Sequence, residues 1–329
     1  MTRNSIYSAW YERTRALVED CLAGLVRETT PRSLYEPVKY VLAAGGKRIR
    51  PVLLMLSCEA VGGKARDALY AGAAIEILHN FTLVHDDIMD NAPSRRGRKT
   101  VHTKWDTNVA ILVGDALLAL AYRALLQTKS PHIHEIVKTF TDGVVEVCEG
   151  QAYDKEFETR RRVSVRDYLL MIEKKTAKMV SVAAEIGGLI GNGSRQEIRA
   201  LKHYGHHVGL AFQIQDDLLD IMANEAELGK QIGGDLVEGK KTFLLLEAMR
   251  TAKNRDKKLL MDLVANKGCA PRLIPEYRRI YIRTGAAEAA RRRIEREINR
   301  SKVDLHRLPS NRAHAVLEWF ADMLLHRTY

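Results

Sequence analysis

Two short runs of aspartate carry the strongest chemical signal in this sequence. DDIMD places Asp86, Asp87 and Asp90 within five residues, and DDLLD repeats the spacing with Asp216, Asp217 and Asp220. On a helix, residues four apart differ by about 40° of rotation and about 6 Å of rise, so Asp86 and Asp90 share a face, as do Asp216 and Asp220. Like charges at that spacing destabilise a helix, and negative charge at a helix C-terminus opposes the macrodipole. A local rule broken twice in the same manner points to function, with bound cations as the compensation. Carboxylates without histidine or cysteine ligands favour hard cations, and Mg2+ takes one or two carboxylates together with waters and phosphate oxygens. Such sites are half-formed until phosphate arrives.

Basic elements suited to phosphate lie nearby in the sequence. In GGKRIRP, residues 45 to 51, the glycines let the backbone turn, and Lys47 and Arg50 can converge on an anion. Arg95, Arg96 and Gly97 form a second loop element beyond the first aspartates. Lys175 and Thr176 lie in EKKTAKM, and Lys230 and Lys240 flank GGD after the second cluster.

The elements that must position these groups read as helices. Apolar residues recur at intervals of three and four, as in Ile77, Phe81, Val84 and Ile88, and clear alternating strand patterns are missing. Breaks at 59–67, 91–98, 129–131, 190–194, 227–241 and 266–272 leave roughly ten helix-sized pieces. One helix is expected from about Asp67 to Asp90 and another from about Arg195 to Ile221, each ending in an aspartate cluster. No Pro/Ser-rich linker divides the chain, so the expectation is an all-α protein, residues 1–329 forming one large helical domain.

Composition sets outer limits. Hydrophobic residues at 46% with charged residues at 28% fit a soluble globular protein with ample core. The net charge of +11 implies an anionic partner without choosing its kind. Much of it lies in mixed runs such as Glu288 to Arg300, where acids alternate with bases as on a solvated helix face, and this argues against a nucleic-acid partner. The four cysteines are far apart, with no CxxC spacing, which suggests a reduced intracellular protein. No signal peptide is visible, and no apolar run approaches the roughly 18 residues needed to span a bilayer. A cytoplasmic location without transmembrane segment is expected.

Taken in order, GGKRIRP, DDIMD followed by SRRG, EKKT, FQIQDD and GGDLVEGKKT make the sequence resemble the trans-isoprenyl diphosphate synthases, the polyprenyl synthetase family, over nearly its whole length. The resemblance implies a helical bundle around a central active-site cavity and a usual homodimer. It implies that the two aspartate clusters hold three Mg2+ ions on an allylic diphosphate. Asp86, Asp90 and Asp216 match the main metal ligands, and Asp87, Asp217 and Asp220 complete the motifs directly or through water. Arg95, Lys175, Lys230 and Lys240 match contacts to the allylic diphosphate, and Lys47, Arg50, His79 and Arg96 match those to isopentenyl diphosphate. His79, seven residues before Asp86, lies on the same helical face about two turns away. Thr176 and Gln213 match residues whose oxygen dipoles stabilise an allylic cation. The implied chemistry is ionisation, condensation and elimination, aided by electrostatic stabilisation and needing no side-chain nucleophile.

Product length turns on the residues before Asp86. In the family the residue five positions upstream often floors the growing chain; here it is Phe81, followed by Thr82. Five residues span about 7.5 Å of helix, which places a bulky floor near the depth of a C15 to C20 chain. FTLVHDDIMD resembles the archaeal-type geranylgeranyl diphosphate synthases, so a C20 product is expected, with C15 as the alternative. Lys99 stands where a proline often follows RRG, a departure that touches loop motion rather than phosphate ligands. Other readings are a class I terpene cyclase, which handles one diphosphate and needs no second basic pocket, and a non-catalytic regulatory subunit.

Overall fold

The helical spacing of apolar residues is realised throughout a computed structural model that describes residues 3–222 and 232–325. The first helices are α1 (Arg3–Leu25), α2 (Arg32–Leu42), α3 (Ile49–Ala60), α4 (Leu69–Met89), α5 (Val101–Lys104) and α6 (Thr107–Leu125). They are followed by α7 (Ile133–Thr159), α8 (Val165–Ile172), α9 (Lys178–Ile190) and α10 (Arg195–Met222). Further helices include Phe243–Thr251, Asn254–Ala265, Ile274–Arg283, Ala286–Leu305 and Arg312–Leu325. The expected helices 67–90 and 195–221 are α4 and α10. The fold is all-α, and the strands among the described residues are two of two residues each, Ser94–Arg95 and Arg98–Lys99. That hairpin departs from the loop expected at 91–98.

The chain divides into two compact units, where the sequence suggested one. The first comprises Met1–Phe140, Ala183–Arg199 and Leu308–Leu317; the second comprises Thr141–Val182, Ala200–Arg307 and Glu318–Tyr329. Each unit is discontinuous, and four of the five boundaries fall inside α7, α9, α10 and the helix Arg312–Leu325, the fifth lying in the turn after Leu305. This explains why composition showed no division.

In the first unit α4 is the central element. Every residue from Ala71 to Leu78 is buried, and α4 packs most extensively on α6. By length and composition α6 could cross a membrane, with a mean hydropathy of 1.5 over a window that is 44% buried. That corrects the expectation that no apolar run reaches such a length. Its apolarity has a packing cause, since Ala110, Val113, Leu117, Leu120 and Ala121 are all buried.

In the second unit a π-helical turn, Glu173–Ala177, separates α8 from α9. The extra residue in such a turn re-aims its side chains. Backbones approach it closely on two sides: a Cβ at Gly150 of α7 would lie 2.2 Å from the Lys175 nitrogen, and one at Gly209 of α10 would lie 2.5 Å from Ala177 Cα. Glycine at both positions holds the turn between α7 and α10.

Candidate active site

The first unit gathers cations. Two glycines at positive φ, Gly45 (67°) and Gly46 (148°), lead through Lys47 to Arg48, itself left-handed at φ 50°, and α3 begins at the next residue. Lys47 is exposed, and its carbonyl accepts a hydrogen bond from the Tyr11 hydroxyl. The hairpin turns through Arg96 and Gly97, at φ 52° and 73°, the pair of positive values that a tight two-residue turn requires. Tyr40 clamps this hairpin: its hydroxyl donates to the Lys99 carbonyl at 2.8 Å, and the Arg98 guanidinium lies 3.9 Å from its ring centre. At the tip, Arg96 donates to the Gly45 carbonyl, which joins the two basic loops.

His79 reports how tightly these charges converge. Burial drives its imidazole well below the usual range, and Arg50, Arg96, Arg95 and Arg48 push the same way. It is therefore a neutral ring among arginines. Of the residues matched to isopentenyl diphosphate, Arg50, His79 and Arg96 are brought together, and Lys47 stands on the same loop.

The first aspartate cluster closes α4, with the Asp90 amide donating to the Asp86 carbonyl at 2.9 Å. Asp86 is half-buried and Asp90 exposed. Asp87 differs: it is 6% exposed, and Arg95 Nε donates to its Oδ1 at 2.7 Å. Burial raises its carboxyl, with Arg95 pulling in the opposite direction. Upstream, Phe81 is 8% exposed and stacks edge-on against His85 at 4.9 Å between ring centres. The Thr82 hydroxyl is tied to its own helix, donating to the His79 carbonyl at 2.8 Å.

The second unit gathers carboxylates. A cleft of about 290 Å³ is lined by Lys175, Thr176, Gln213, Asp216, Asp217, Asp220 and Lys240, together with Asp154, Tyr168, Asp235 and Lys241. Asp216 and Asp220 are half-buried. Asp217 turns inward, with Tyr168 donating to Oδ2 at 2.5 Å and Gln213 Nε2 donating to Oδ1 at 2.9 Å. The other end of that amide accepts from the Thr176 hydroxyl at 2.8 Å, so Gln213 is held at both ends. Burial pushes the Asp217 carboxyl up to about 7 against these two hydrogen bonds, and Asp216 and Asp220 add to the rise. Burial also raises Asp220 and drives Asp235 well above the usual range. Crowded, desolvated acids of this kind hold surplus negative charge that a cation would relieve.

The cations of this cleft are already engaged. Lys175 pairs with Asp154 at 2.5 Å, and Lys240 pairs with Glu238 at 2.7 Å. Lys241 donates to the Phe157 carbonyl at the end of α7 and so ties the loop 233–242 to that helix. Lys230 lies outside the described residues. Asp154 and Tyr168 escaped sequence reasoning. Asp154 sits in the mixed run DKEFE, where nothing distinguishes it, and Tyr168 reads as an ordinary core residue. Asp235 and Lys241 fall inside the quoted GGDLVEGKKT motif, which was the signal available for them.

Comparison with known proteins identifies the family and the fold. Residues 31–279 match the family model described as polyprenyl synthetase. A short chain isoprenyl diphosphate synthase of Methanothermobacter thermautotrophicus is 40% identical over 314 residues, covering 95% of this chain and 96% of that protein. A geranylgeranyl diphosphate synthase of Sulfolobus acidocaldarius is 40% identical over 270 residues, covering 81% and 82%. The crystal structure of geranylgeranyl pyrophosphate synthetase from Pyrococcus horikoshii superposes with a TM-score of 0.90 at 35% identity, over 98% of this chain and 99% of that one. With its paired aspartate clusters and basic loops in place on this fold, the chain belongs to the polyprenyl synthetase family.

Proposed function

We propose that the protein is a Mg2+-dependent trans-prenyltransferase that joins isopentenyl diphosphate to an allylic diphosphate and releases mainly a C20 diphosphate, with C15 as the alternative product. The observation that carries this reading is the cleft of the second unit, where Lys175 and Lys240 share walls with Asp216, Asp217 and Asp220. Cations suited to a diphosphate stand there beside carboxylates that need a metal.

The donor set suits Mg2+. Among the described residues no three His, Cys, Asp or Glu groups form a metal site by themselves. Hard carboxylates completed by diphosphate oxygens are the usual Mg2+ arrangement. Asp86, Asp90, Asp216 and Asp220 would hold the ions, three by family resemblance, while Asp87 and Asp217 brace them. Bound Mg2+ supplies charge withdrawal from the leaving diphosphate.

Arg95, Lys175, Lys230 and Lys240 bind the allylic diphosphate and stabilise the negative charge that grows on it as the C–O bond ionises. Thr176 and the doubly held Gln213 direct oxygen dipoles toward the allylic cation. Lys47, Arg50, His79 and Arg96 hold isopentenyl diphosphate, whose double bond attacks that cation; the new cation loses a proton to the departed diphosphate. Lys175 and Lys240 exchange Asp154 and Glu238 for substrate phosphate when it binds. Purified protein with labelled isopentenyl diphosphate and farnesyl diphosphate should form a C20 diphosphate. Turnover that persists without divalent metal would refute the mechanism.

We further propose a cytoplasmic homodimer. The four cysteines are free thiols, as in a reducing compartment. On α6, Ile111 and Leu112 are 44% and 60% exposed, an apolar face suited to a second copy. Light scattering at several concentrations tests the assembly.

A further inference from the structure

We propose that Arg48, with Glu19 and Glu76, is a positioning cluster that sets the two basic loops for isopentenyl diphosphate without touching it. The inference rests on the prenyltransferase reading above. Arg48 is the middle cation of GGKRIRP, yet its side chain is fully buried while Lys47 beside it is exposed. Its guanidinium makes a two-pronged pair with Glu19, Nε to Oε1 at 2.8 Å and Nη2 to Oε2 at 3.0 Å. Nη1 donates to Glu76 Oε1 at 2.6 Å, and Nη2 also donates to the Leu42 carbonyl at 3.0 Å. One side chain thus ties together α1, the end of α2, the start of α3 and the middle of α4.

The backbone explains why this matters. Arg48 occupies a left-handed conformation that a residue with a Cβ adopts only where the surroundings enforce it. Its four hydrogen bonds are that enforcement, and they fix the direction in which Lys47 and Arg50 leave the loop. Glu76 lies three residues before His79 on α4, so the same anchor sets the loop against the histidine it serves. The acids also reach the second basic loop. Burial lowers the Arg96 guanidinium, with Glu76 and Glu19 partly offsetting that and Arg48 and Arg95 adding to it; the guanidinium rests against Gly46 and donates to the Gly45 carbonyl, in the loop that Arg48 holds. Loss of Arg48 therefore frees the GGKRIRP loop and the Arg96 contact together.

The test separates positioning from general stability. Glu19 is 40% exposed, so Glu19→Gln removes one side of the two-pronged pair in a protein that still folds. Arg48→Met/Glu76→Gln removes the buried charges as a set and leaves none unpaired. Isopentenyl diphosphate binding is measured by calorimetry without metal, and both KM values by steady-state kinetics. Glu19→Gln should weaken isopentenyl diphosphate about tenfold in both assays, the value of a charged hydrogen bond lost indirectly. The double variant should weaken it further, while the allylic KM stays within about twofold. Arg48→Lys should fall between Glu19→Gln and the double variant. Unchanged isopentenyl diphosphate affinity, or equal losses for both substrates tracking the melting temperature, would overturn the proposal. Binding by a wild-type protein that forms no prenyl product would overturn the activity instead and leave the binding comparison to decide the role of Arg48.

Discussion

The candidate sites of the two units crowd charges of opposite sign. In the first, burial drives the His79 imidazole well below the usual range, and the charges of Arg50, Arg96, Arg95 and Arg48 push the same way. In the second, Asp216, Asp217, Asp220 and Asp235 crowd one another, and burial raises Asp217 to about 7. Desolvated like charges stand close together in each region, arginines in the first and carboxylates in the second. By the function proposed above, a bound diphosphate would relieve the first and a divalent cation the second. On the same proposal, Asp87 takes an anion's place beside Arg95, and Asp154 takes a phosphate's place beside Lys175.

The largest effects should come from removing a carboxylate of the second unit. Asp216→Asn should lower kcat about 10³-fold and raise the Mg2+ concentration for half-maximal rate, measured by metal titration. Arg96→Ala, in the first unit, should instead raise the KM for isopentenyl diphosphate about 10- to 100-fold at an unchanged metal requirement. If both variants moved the metal requirement equally, the separate roles of Asp216 and Arg96 would not stand.

A second contrast concerns stability. Glu297 in the second unit is fully buried and paired with His207 at 2.7 Å and with Arg293 at 2.6 Å. Burial raises its carboxyl, but the hydrogen bonds to His207 and Arg293 and the Arg293 charge more than offset that, and it titrates below the ordinary range. A lowered folded value contributes stability above about pH 4.5 that is lost as pH falls through the folded value. Glu297→Gln should therefore cost about 3 kcal/mol at pH 7. The gap in melting temperature between the two proteins should close below about pH 4.5. A gap that stayed constant with pH would mean that packing, rather than charge, holds the pair.

The smallest effect on rate, though not on outcome, is expected at Phe81. Phe81→Ala opens space on α4 behind a ring that stacks on His85, and chromatography after dephosphorylation should show products longer than C20. An unchanged product would place the floor on another residue.

Much of this was legible before any coordinates. The DDxxD spacing placed its end carboxylates on one helical face because 3.6 residues per turn leaves i and i+4 neighbours in any α-helix. The extents of α4 and α10 followed from apolar periodicity within two residues at each end. Other features were not legible. Lys47, Arg48 and Arg50 are three cations within four residues, and only packing against Glu19 and Glu76 turns Arg48 inward. Asp87 and Asp217 read as completing their motifs, directly or through water, and only the structure shows them buried against Arg95 and Tyr168. Asp154 had no local pattern, because its meaning lies in Lys175 on another helix.

The sequence by itself determined the helical fold, the two acidic and two basic motifs and the family they indicate, since these depend on local periodicity and residue type. Tertiary structure decided which of those charges are buried against the protein and which stay open. That choice depends on desolvation and on partners far apart in the chain, and a linear pattern records neither.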